Sequence, residues 1–306
     1  DGDGTLYVAF DSPDQVPSLL AIRGLPGAVP RPASIARLTE ADDIAVVGAG
    51  SSSTIVVTQT EVSRGWWSFH DLWRVDPKDG SLARITREAR LRSPSPIPRT
   101  REVVCEQRTA LDAALVAVDV DTGKMRDVVR ADDGSLYYTP DVSPDGAHVV
   151  VSKWSPGGAR QIVEIDMVTG FERVLTDDGD QDLDPSYVDD AWILFTSDRE
   201  GMFSVYAVNR DTREVRRIVD SLGLAKFPRA TPDKKGVVYV DTTLDGNDLY
   251  AADLDIAHAP VVEDKRPAPL LSAFTDEMPP DKAPSERYNA LPTLLPHYYV
   301  PVVADD

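Results

Sequence analysis

The acidic run from Asp177 to Asp184 contains the residues whose types and spacing come nearest to a site for ligand chemistry. Asp178, Asp180 and Asp182 alternate along the chain as the carboxylates of calcium-binding loops do. Leu183 stands where such a loop needs glycine, and no glutamate follows to close the loop with two oxygens. We interpret the run as a connecting loop and keep calcium binding as an alternative.

Aromatic and basic residues in predicted connections are the second group of interest, because protein interfaces favour tryptophan, tyrosine and arginine. Trp66 and Trp67 lie in SRGWWSFH, and Trp154 begins WSPGGAR. They predict either an aromatic rim that binds a protein or peptide, or indoles that fill gaps between structural units. Arg199 follows Asp198 in a predicted turn, where a role in tying strands together is favoured over binding.

Motifs for covalent or metal catalysis are absent from the sequence. It contains no Gly-x-Ser-x-Gly motif, no His-Glu-x-x-His motif, no Cys-x-x-Cys pair and no phosphate-binding loop. The single cysteine, Cys105, lies in the strand pattern VVCEQ, which favours a buried thiol. The four histidines share no spacing: they are His70, His148, His258 and His297. We therefore predict no catalytic residue, no enzymatic activity and no cofactor, apart from the calcium alternative.

The charge of the chain limits the class of partner. The sequence has 51 acidic and 32 basic residues and a net charge of −19. A field of that sign repels phosphate backbones, so nucleic acid is not an expected partner. A hydrophobic content of 42% supports a sizeable core, and no apolar stretch is long enough for a transmembrane helix. Because the chain starts at Asp1, we expect a processed chain or an excised piece.

An internal repeat organises the elements that must position these side chains. Five segments place a short apolar run, an acidic or amide residue and a turn in the same order, at intervals of 43, 47, 43 and 44 residues. A sixth and weaker copy has Arg23 at the corresponding position. Each unit shows four short runs rich in Val, Ile, Tyr and Phe, separated by Gly, Asp, Pro and Asn, which predicts strands and turns. The five anchors are Asp76, Asp119, Asp166, Asn209 and Asp253.

Four strands in a period of 40 to 50 residues are typical of β-propeller blades. We predict an all-β fold, a six-bladed β-propeller of four-stranded antiparallel blades, in which the two end blades are each one strand short. Residues near 260 to 272 should lie against an end blade, unless the missing strand belongs to a part of the protein outside this chain. Only Ser34 to Ala41 suggests a turn of helix. The propeller domain is predicted at 1–259, with blades at 5–42, 44–88, 91–133, 136–180, 183–222 and 225–255.

A fixed order of short motifs runs from Leu136 to Asp255. Its parts are DVSPDGAHVVVS, LDPSYVDDAWILFTSDREGMFSVYAVNRDTREVRRIV and RATPDKKGVVYV. This order resembles the WD-like repeats of TolB-type β-propellers, although Val188 stands where the repeat usually has serine. The resemblance implies a propeller of the bacterial cell envelope, either periplasmic or associated with the outer membrane, that binds a protein or peptide partner.

Residues 260–306 are predicted to form a proline-rich, extended tail or linker. Nine prolines fall between Pro260 and Pro301, a density that blocks helices and interior strands. The end of the tail is more apolar, and we expect Tyr298 and Tyr299 to pack on another surface. More loosely, the run from Tyr288 to Tyr298 resembles the segment that joins a periplasmic propeller to an outer-membrane β-barrel, which implies attachment to such a barrel.

Three hypotheses about function follow. The leading one is a non-catalytic protein-binding or scaffolding module of the cell envelope. The second is the gating propeller of a prolyl-oligopeptidase-like serine peptidase whose hydrolase domain is not in this chain. The third is a propeller that binds calcium or carbohydrate at the mouth of its channel. The candidate partner-binding residues are Trp66, Trp67, Trp154, Arg199, Tyr298 and Tyr299.

Overall fold

A computed structural model describes residues 5–263 of the chain, apart from 13, 24–32, 40–42, 49–52, 64, 110–111 and 245. These residues belong to the first of two units, Asp1–Arg266 and Pro267–Asp306. Most of the predicted tail, including Tyr298 and Tyr299, lies outside the described residues. The described part consists of strands and turns, and it offers no helix that could span a membrane.

Six antiparallel sheets make up the described part of the chain. The first contains β1 (Leu6–Ser12), β2 (Gln15–Ile22) and β3 (Ala33–Arg37), and the second β4 (Ile44–Val47), β5 (Thr54–Ser63), β6 (Trp67–Val75) and β7 (Leu82–Arg84). The third contains β8 (Leu91–Pro96), β9 (Glu102–Arg108), β10 (Ala113–Asp119) and β11 (Met125–Arg130), and the fourth β12 (Leu136–Val142), β13 (His148–Trp154), β14 (Arg160–Asp166) and β15 (Glu172–Val174). The fifth contains β16 (Asp182–Tyr187), β17 (Trp192–Ser197), β18 (Ser204–Asn209), β19 (Val215–Val219) and β23 (Val261–Val262), and the sixth β20 (Leu224–Ala230), β21 (Gly236–Thr243) and β22 (Gly246–Asp253).

The six sheets are the blades of a β-propeller, which confirms the predicted fold class. Blades two to five each have at least four strands, and the two end blades have three in the part that the structure describes. The repeat anchors lie at the third strand of blades two to six, and the weak copy at Arg23 directly follows β2. By this alignment β1 and β2 are second and third strands, so among the described residues blade one has no innermost strand and blade six has no outermost strand.

The prediction for residues near 260 to 272 was wrong where the structure describes them. Val261 and Val262 of β23 pair with β19 at the outer edge of blade five, not with an end blade. A turn directs the chain back, with Ala259 N donating to Asp255 O, and Arg217 N then donates to Pro260 O at 3.0 Å. The suggested turn of helix was also wrong, because β3 pairs with β2 as a strand.

The core lies between blades, because each sheet buries its faces against its neighbours. One cluster combines Leu115 and Ala117 of blade three with Val149 and Val151 of blade four. Each buried valine or leucine of this cluster contributes roughly 1.5 to 3 kcal/mol when it is removed from water. Cys105 is fully buried in the cluster between blades two and three, and burial raises the pKa of its thiol, as predicted for a structural cysteine.

The acidic or amide residue of the repeat has a structural role in the turn between third and fourth strands. Asp119 Oδ1 accepts from Thr122 N at 2.7 Å, and Asp166 Oδ1 accepts from Thr169 N at 2.7 Å. Asn209 Oδ1 accepts from Thr212 N at 3.0 Å. An Asx side chain that caps its own turn needs only an acceptor oxygen, which explains why both aspartate and asparagine occur at this position.

The innermost strands of blades three to six share a bulge that the repeat analysis did not identify. Ser93, Thr139, Asp184 and Phe227 have positive φ angles of 45° to 51°, and each precedes a proline. Strand register shifts at each of these four sites. A bulge re-aims the side chains that follow it, so these four sites determine what faces the channel.

Replacing Gly123 by alanine should lower the free energy of unfolding by about 2 kcal/mol, because the left-handed conformation alone costs roughly 1 to 2 kcal/mol. Gly123 has φ +71°, and an added Cβ would lie 2.6 Å from the Ile85 carbonyl oxygen of the previous blade. Arg213 has φ +62° at the equivalent turn position of blade five. Urea unfolding should show the loss for Gly123→Ala and no loss for Arg213→Gly. Equal stability of Gly123→Ala and wild type would contradict this account.

Candidate functional site: the entry face and the central channel

Antiparallel topology places the starts of the innermost strands and the turns between second and third strands at the same end of each blade. We call this side of the ring the entry face. Trp66 and Trp67 lie in the β5–β6 turn, and Trp154 ends β13 opposite Leu136 and Arg160. The structure therefore brings the three predicted tryptophans to one face of the propeller.

The β5–β6 hairpin presents the exposed aromatic residues of the entry face. Its pairing continues to Ser63 and Trp67, well past the start of β4, where Ile44 pairs with Val57 of β5. Trp66 is 92% exposed and Trp67 is 61% exposed. Such exposure excludes these two indoles from the gaps between blades, which was the alternative interpretation. Large exposed aromatic side chains on one tip are a feature of interaction surfaces.

The hairpin stem contacts the start of the innermost strand of blade three. The guanidinium carbon of Arg90 lies 4.9 Å from the centroid of the Phe69 ring. Arg92 Nη2 contacts His70 Nε2. These contacts from a hairpin to the next blade position the tryptophan tip relative to the channel. They also place two guanidiniums beside aromatic rings on the entry face.

Tyr138 forms the centre of a second cluster on this face. Its ring lies between two guanidiniums, with Arg108 at 4.1 Å and Arg160 at 3.8 Å from the ring centroid. Arg108 also donates to Glu106 Oε2 at 2.5 Å. Arg160 forms no direct ion pair with a carboxylate in the described part of the chain. Trp154 is partly buried and pairs through its backbone with Arg160.

Arg199 is an internal residue. Its side chain is 5% exposed, and its Nη2 lies 2.7 Å from Asp178 Oδ2 and 3.0 Å from Asp182 Oδ1. The guanidinium also lies over the rings of Phe195 and Tyr206, at 4.9 and 5.1 Å from their centroids. Arg199 therefore ties the loop before blade five to that blade and does not belong to the exposed surface.

Two of the three aspartates of the suggested calcium loop face this guanidinium. Asp178 and Asp182 are buried and face Arg199, whereas Asp180 donates its backbone N–H to Asp178 Oδ1 at 3.1 Å. A cationic side chain therefore stands where a calcium ion would have to lie between the two carboxylates. No group of three metal-ligating residues occurs among the residues that the structure describes.

The central channel contains a cavity of about 420 Å³. Three prolines, Pro94, Pro96 and Pro232, form part of its wall, and Asp141 and Arg229 supply its charged groups. Tyr187 N donates to Asp141 Oδ2 at 2.8 Å. Burial raises the pKa of Asp141, against the opposing effect of Arg229. The volume of this cavity lies within the range of ligand-binding sites.

Carboxylates connect the innermost strands of neighbouring blades, because they accept backbone hydrogen bonds from the next blade. Asp184 Oδ2 accepts from Phe227 N at 3.2 Å, and Asp43 Oδ2 accepts from Ser93 N at 2.8 Å. Burial raises the pKa of Asp184, although Arg229, Arg160 and Lys226 act in the opposite direction. These three cations therefore lie within electrostatic reach of one buried carboxyl group.

A second cavity, of about 500 Å³, opens on the opposite side between blades four and five. Glu164 is buried in its wall and accepts from Arg173 Nη2 at 2.7 Å and Tyr187 Oη at 2.9 Å. Arg210 also contacts Glu164. His148 borders this cavity. The charged groups around Glu164 are already paired with each other. We therefore assign this cluster a structural role in holding blades four and five together.

Sequence reasoning identified the tryptophans but missed Tyr138, Arg160, Lys226 and Arg229. For Tyr138, Lys226 and Arg229 the signal was the residue before proline in the innermost strands of blades three to six, which recurs at intervals of 46, 45 and 43 residues. Tyr138 directly precedes the bulge of blade four, and Arg229 follows the bulge of blade six by two residues. Aligning the repeats on these prolines would have marked the positions that face the channel.

Solved structures with a similar ring include TolB proteins and peptidases. The putative TolB of Agrobacterium tumefaciens is 20% identical with a TM-score of 0.60, over 76% of this chain and 83% of that one. TolB of Acinetobacter baumannii is 17% identical with a TM-score of 0.62, over 81% and 60%. A puromycin-hydrolysing peptidase of Mycobacterium tuberculosis is 14% identical with a TM-score of 0.57, over 86% and 47%. At these identities the similarity shows the fold alone.

Comparison of the sequence with family models assigns the chain to a family. No curated protein matches the sequence. The model of the TolB beta propeller domain matches residues 71–284, which is more than half of the chain. The matched range includes blades three to six, and it begins within the third strand of blade two. The chain belongs to the TolB β-propeller domain family.

Proposed function

We propose that this propeller is a non-catalytic, protein-binding or scaffolding module of the bacterial cell envelope, and that it binds its partner on the entry face. The observation that carries the proposal is the β5–β6 hairpin, which exposes Trp66 and Trp67 at its tip. Each indole offers a large apolar area with a single polar N–H group, the combination that dominates binding energy at protein interfaces. An envelope location is proposed from the likeness to TolB proteins.

Two features of the site support a binding role over catalysis. Most of the side chains that converge on the entry face are aromatic rings and guanidiniums, groups that recognise partners through stacking and charge. The carboxyl groups near the channel, Asp141 and Asp184, accept hydrogen bonds from the backbone of the next blade. These hydrogen bonds indicate a structural role for the two carboxyl groups.

Peptidase propellers share this ring, but the likeness gives no support to a peptidase function here. It concerns the fold at 14% identity and covers 47% of the peptidase chain. A hydrolase domain with a Gly-x-Ser-x-Gly motif in the same polypeptide would contradict the non-catalytic proposal. The sequence of the full gene product tests this directly.

Replacing both Trp66 and Trp67 by serine should reduce partner recovery from envelope extracts by at least about tenfold, since interface anchors contribute roughly 2 kcal/mol or more. The immobilised wild-type propeller should capture the same protein in repeated experiments, identified by mass spectrometry. Because both indoles are exposed, the thermal midpoint of the variant should stay close to that of the wild type.

Phe171→Ser is the matched control for this experiment. Phe171 is also a large exposed aromatic residue, but it follows the turn between third and fourth strands, on the opposite face. Recovery should be unchanged in this variant. Equal losses in the two variants, or no reproducible capture by the wild type, would contradict binding on the entry face.

A further inference from the structure

The outer edge of blade six, formed by β22, has no fourth strand in the part of the chain that the structure describes. In blades two to five, by contrast, the third strand pairs with a fourth one. β22 pairs with β21 along all eight of its residues, from Gly246 to Asp253, without a bulge. We call the side of β22 that faces away from β21 the open edge. Its backbone N–H and C=O groups can pair with another strand.

The segment that follows β22 is held on blade five. In blades two to five the fourth strand begins six residues after the repeat anchor. After the anchor Asp253, the turn instead forms two residues later, around Asp255, and β23 then pairs with β19. Arg216 Nη1 donates to the carbonyl oxygens of Ile256 and Ala257 at 2.8 and 2.6 Å. These hydrogen bonds tie the segment to blade five, so it does not serve as the fourth strand of blade six.

The fourth strands of blades two to five share a chemistry that indicates what the open edge accepts. Each of these strands carries an arginine that forms an ion pair with a carboxylate of the same blade. The pairs are Arg84 with Asp71, Arg126 with Glu102, Arg173 with Glu164 and Arg217 with Glu200. A strand that completes blade six is therefore expected to be basic as well.

Blade two provides a template for the open edge. Its Asp71 lies on the third strand, five residues before the anchor, and accepts from Arg84 Nη2 of the fourth strand at 2.6 Å. Asp248 has the same place on β22, five residues before the anchor Asp253. Neither third strand has a bulge where it pairs with its second strand, so the two carboxylates lie on corresponding faces. Asp248 is exposed and forms no hydrogen bond or ion pair with another described residue.

A second carboxyl group lies on the same face of blade six. Asp241 on β21 pairs directly with Asp248 on β22, and it is 8% exposed. Ser221 Oγ donates to Asp241 Oδ2 at 2.7 Å, whereas Asp241 Oδ1 is buried without a hydrogen-bond partner in the described part of the chain. Carboxylates that lie directly opposite each other on adjacent strands repel. A cation on an incoming strand would reduce this repulsion.

The basic residues of blade six lie away from this pair of carboxylates. Lys226 pairs with Val240, next to Asp241, and therefore faces the other side of the sheet. Arg229 pairs with Val238, and Lys234 and Lys235 lie in the turn before β21. These last three residues are near the end of β21 that pairs with the Asp253 end of β22. The end of the open edge at Asp248 is therefore acidic.

We propose that the open edge binds an extended, basic segment of a partner protein, which pairs with β22 as the fourth strand of blade six. Its backbone continues the sheet, and an arginine or lysine meets Asp248 and Asp241 as Arg84 meets Asp71 in blade two. In strand addition the main-chain hydrogen bonds provide affinity, and alternate side chains provide specificity. The net charge of −19 also attracts a cationic segment.

Charge also argues against a second copy of this chain as the occupant. Pairing of two open edges would bring a second Asp248 and a second Asp253 to the same edge, where like charges oppose association. The open edge lies at the rim of the ring, whereas the tryptophan tip belongs to the entry face. The proposal therefore goes beyond the function proposed above and does not rest on it.

The probe for the open edge is a peptide with the sequence GSLARITRE, which corresponds to Gly80 to Glu88 and contains the fourth strand of blade two. It is acetylated and amidated at its ends and labelled with rhodamine. Fluorescence anisotropy with the full chain should show saturable binding, and none to the peptide GSLAEITEE. Asp248→Lys should raise the Kd for GSLARITRE by at least about tenfold and allow GSLAEITEE to bind.

Asp190→Lys is the matched control, because Asp190 is also exposed but lies in the β16–β17 turn of blade five. It should leave the Kd unchanged, and thermal unfolding of both variants separates lost binding from lost structure. Amide hydrogen exchange locates the bound peptide. The amides of β22 should exchange more slowly in the complex, whereas those of β23 should exchange as in the free protein.

The absence of saturable binding, equal weakening by Asp248→Lys and Asp190→Lys, or slower exchange only outside β22 would overturn the proposal. A dimer in sedimentation that forms through β22 would overturn it as well. The Trp66→Ser and Trp67→Ser double variant should bind the peptide as the wild type does. If the peptide fails to bind while tryptophan-dependent capture succeeds, the open-edge proposal fails and the function proposed for the entry face stands. If the peptide binds at β22 but no partner is captured, the reverse holds.

Discussion

Replacing Arg199 by methionine should lower the free energy of unfolding by about 3 to 5 kcal/mol at neutral pH, because removing one partner of a buried ion pair leaves uncompensated charge. Asp178 and Asp182 both face this guanidinium, at 2.7 and 3.0 Å. Methionine has a similar length and keeps the packing on Phe195 and Tyr206. The expected loss is therefore electrostatic, and urea unfolding followed by circular dichroism measures it.

The loss in Arg199→Met should shrink as the pH falls. Burial already raises the pKa of Asp182, and the nearby Asp178 carboxylate acts in the same direction, whereas Arg199 opposes both. Without Arg199, the folded-state pKa rises further above the unfolded value of about 3.9. A carboxyl group with a raised folded pKa costs stability above its unfolded pKa, and this cost disappears as the pH falls towards about 4.

Two controls accompany the Arg199 experiment. Arg217→Met removes a guanidinium that pairs on the surface with Glu200 and Asp220, at 3.2 and 3.6 Å, and it should cost about 1 kcal/mol or less. Adding Asp178→Asn and Asp182→Asn to Arg199→Met should restore part of the loss. A loss below about 1 kcal/mol in Arg199→Met at neutral pH would refute the central role of this ion pair.

Most of the fold could be predicted because its signals are local. Each blade repeats strand and turn residues within about 45 residues, as the Asx turns at Asp119, Asp166 and Asn209 show. The pairing of β23 with β19 could not be predicted in the same way. Two valines carry little register information, and their position depends on the turn after Asp255.

The candidate site was harder to predict, because its residues come from different blades. Trp66 and Trp67 could be marked from residue type and from their place in a predicted turn. Arg108 and Arg160 meet on Tyr138 only after blades three and four pack together. Arg199 shows the limit of choosing residues by type: it stayed among the candidates for binding although its place in a turn favoured a role in tying strands together, and its partners are two buried aspartates.

Replacing Asp71 by alanine should cost about 3 to 4 kcal/mol, since four donors lose an ionised, buried acceptor. Asp71 is fully buried in β6 and accepts from Arg84 Nη2 at 2.6 Å and Thr86 Oγ1 at 2.9 Å. It also accepts from Glu88 N at 2.9 Å and Ala89 N at 3.0 Å. The carboxylate therefore links β6, which carries the tryptophan hairpin, to the segment at Glu88 and Ala89 that leads into blade three.

The pH dependence distinguishes this role from simple packing. Burial of Asp71 opposes its ionisation, but the four hydrogen bonds outweigh burial and hold its pKa below the usual value. A lowered folded pKa contributes stability above the unfolded pKa of about 3.9, and this contribution is lost as the pH falls through the folded pKa. The difference in unfolding free energy between wild type and Asp71→Ala should therefore be constant from pH 5 to 7 and shrink below about 4.

Asp79→Ala is the control for Asp71, because Asp79 is an exposed residue of the same blade that bonds only to Ser81. Its unfolding midpoint should match that of the wild type. Asp71→Ala should also reduce partner recovery on the entry face, because Phe69 and His70 precede Asp71 in the strand that contacts Arg90 and Arg92. If Asp71→Ala unfolds at the midpoint of the wild type, the carboxylate is not the fastening between these two blades.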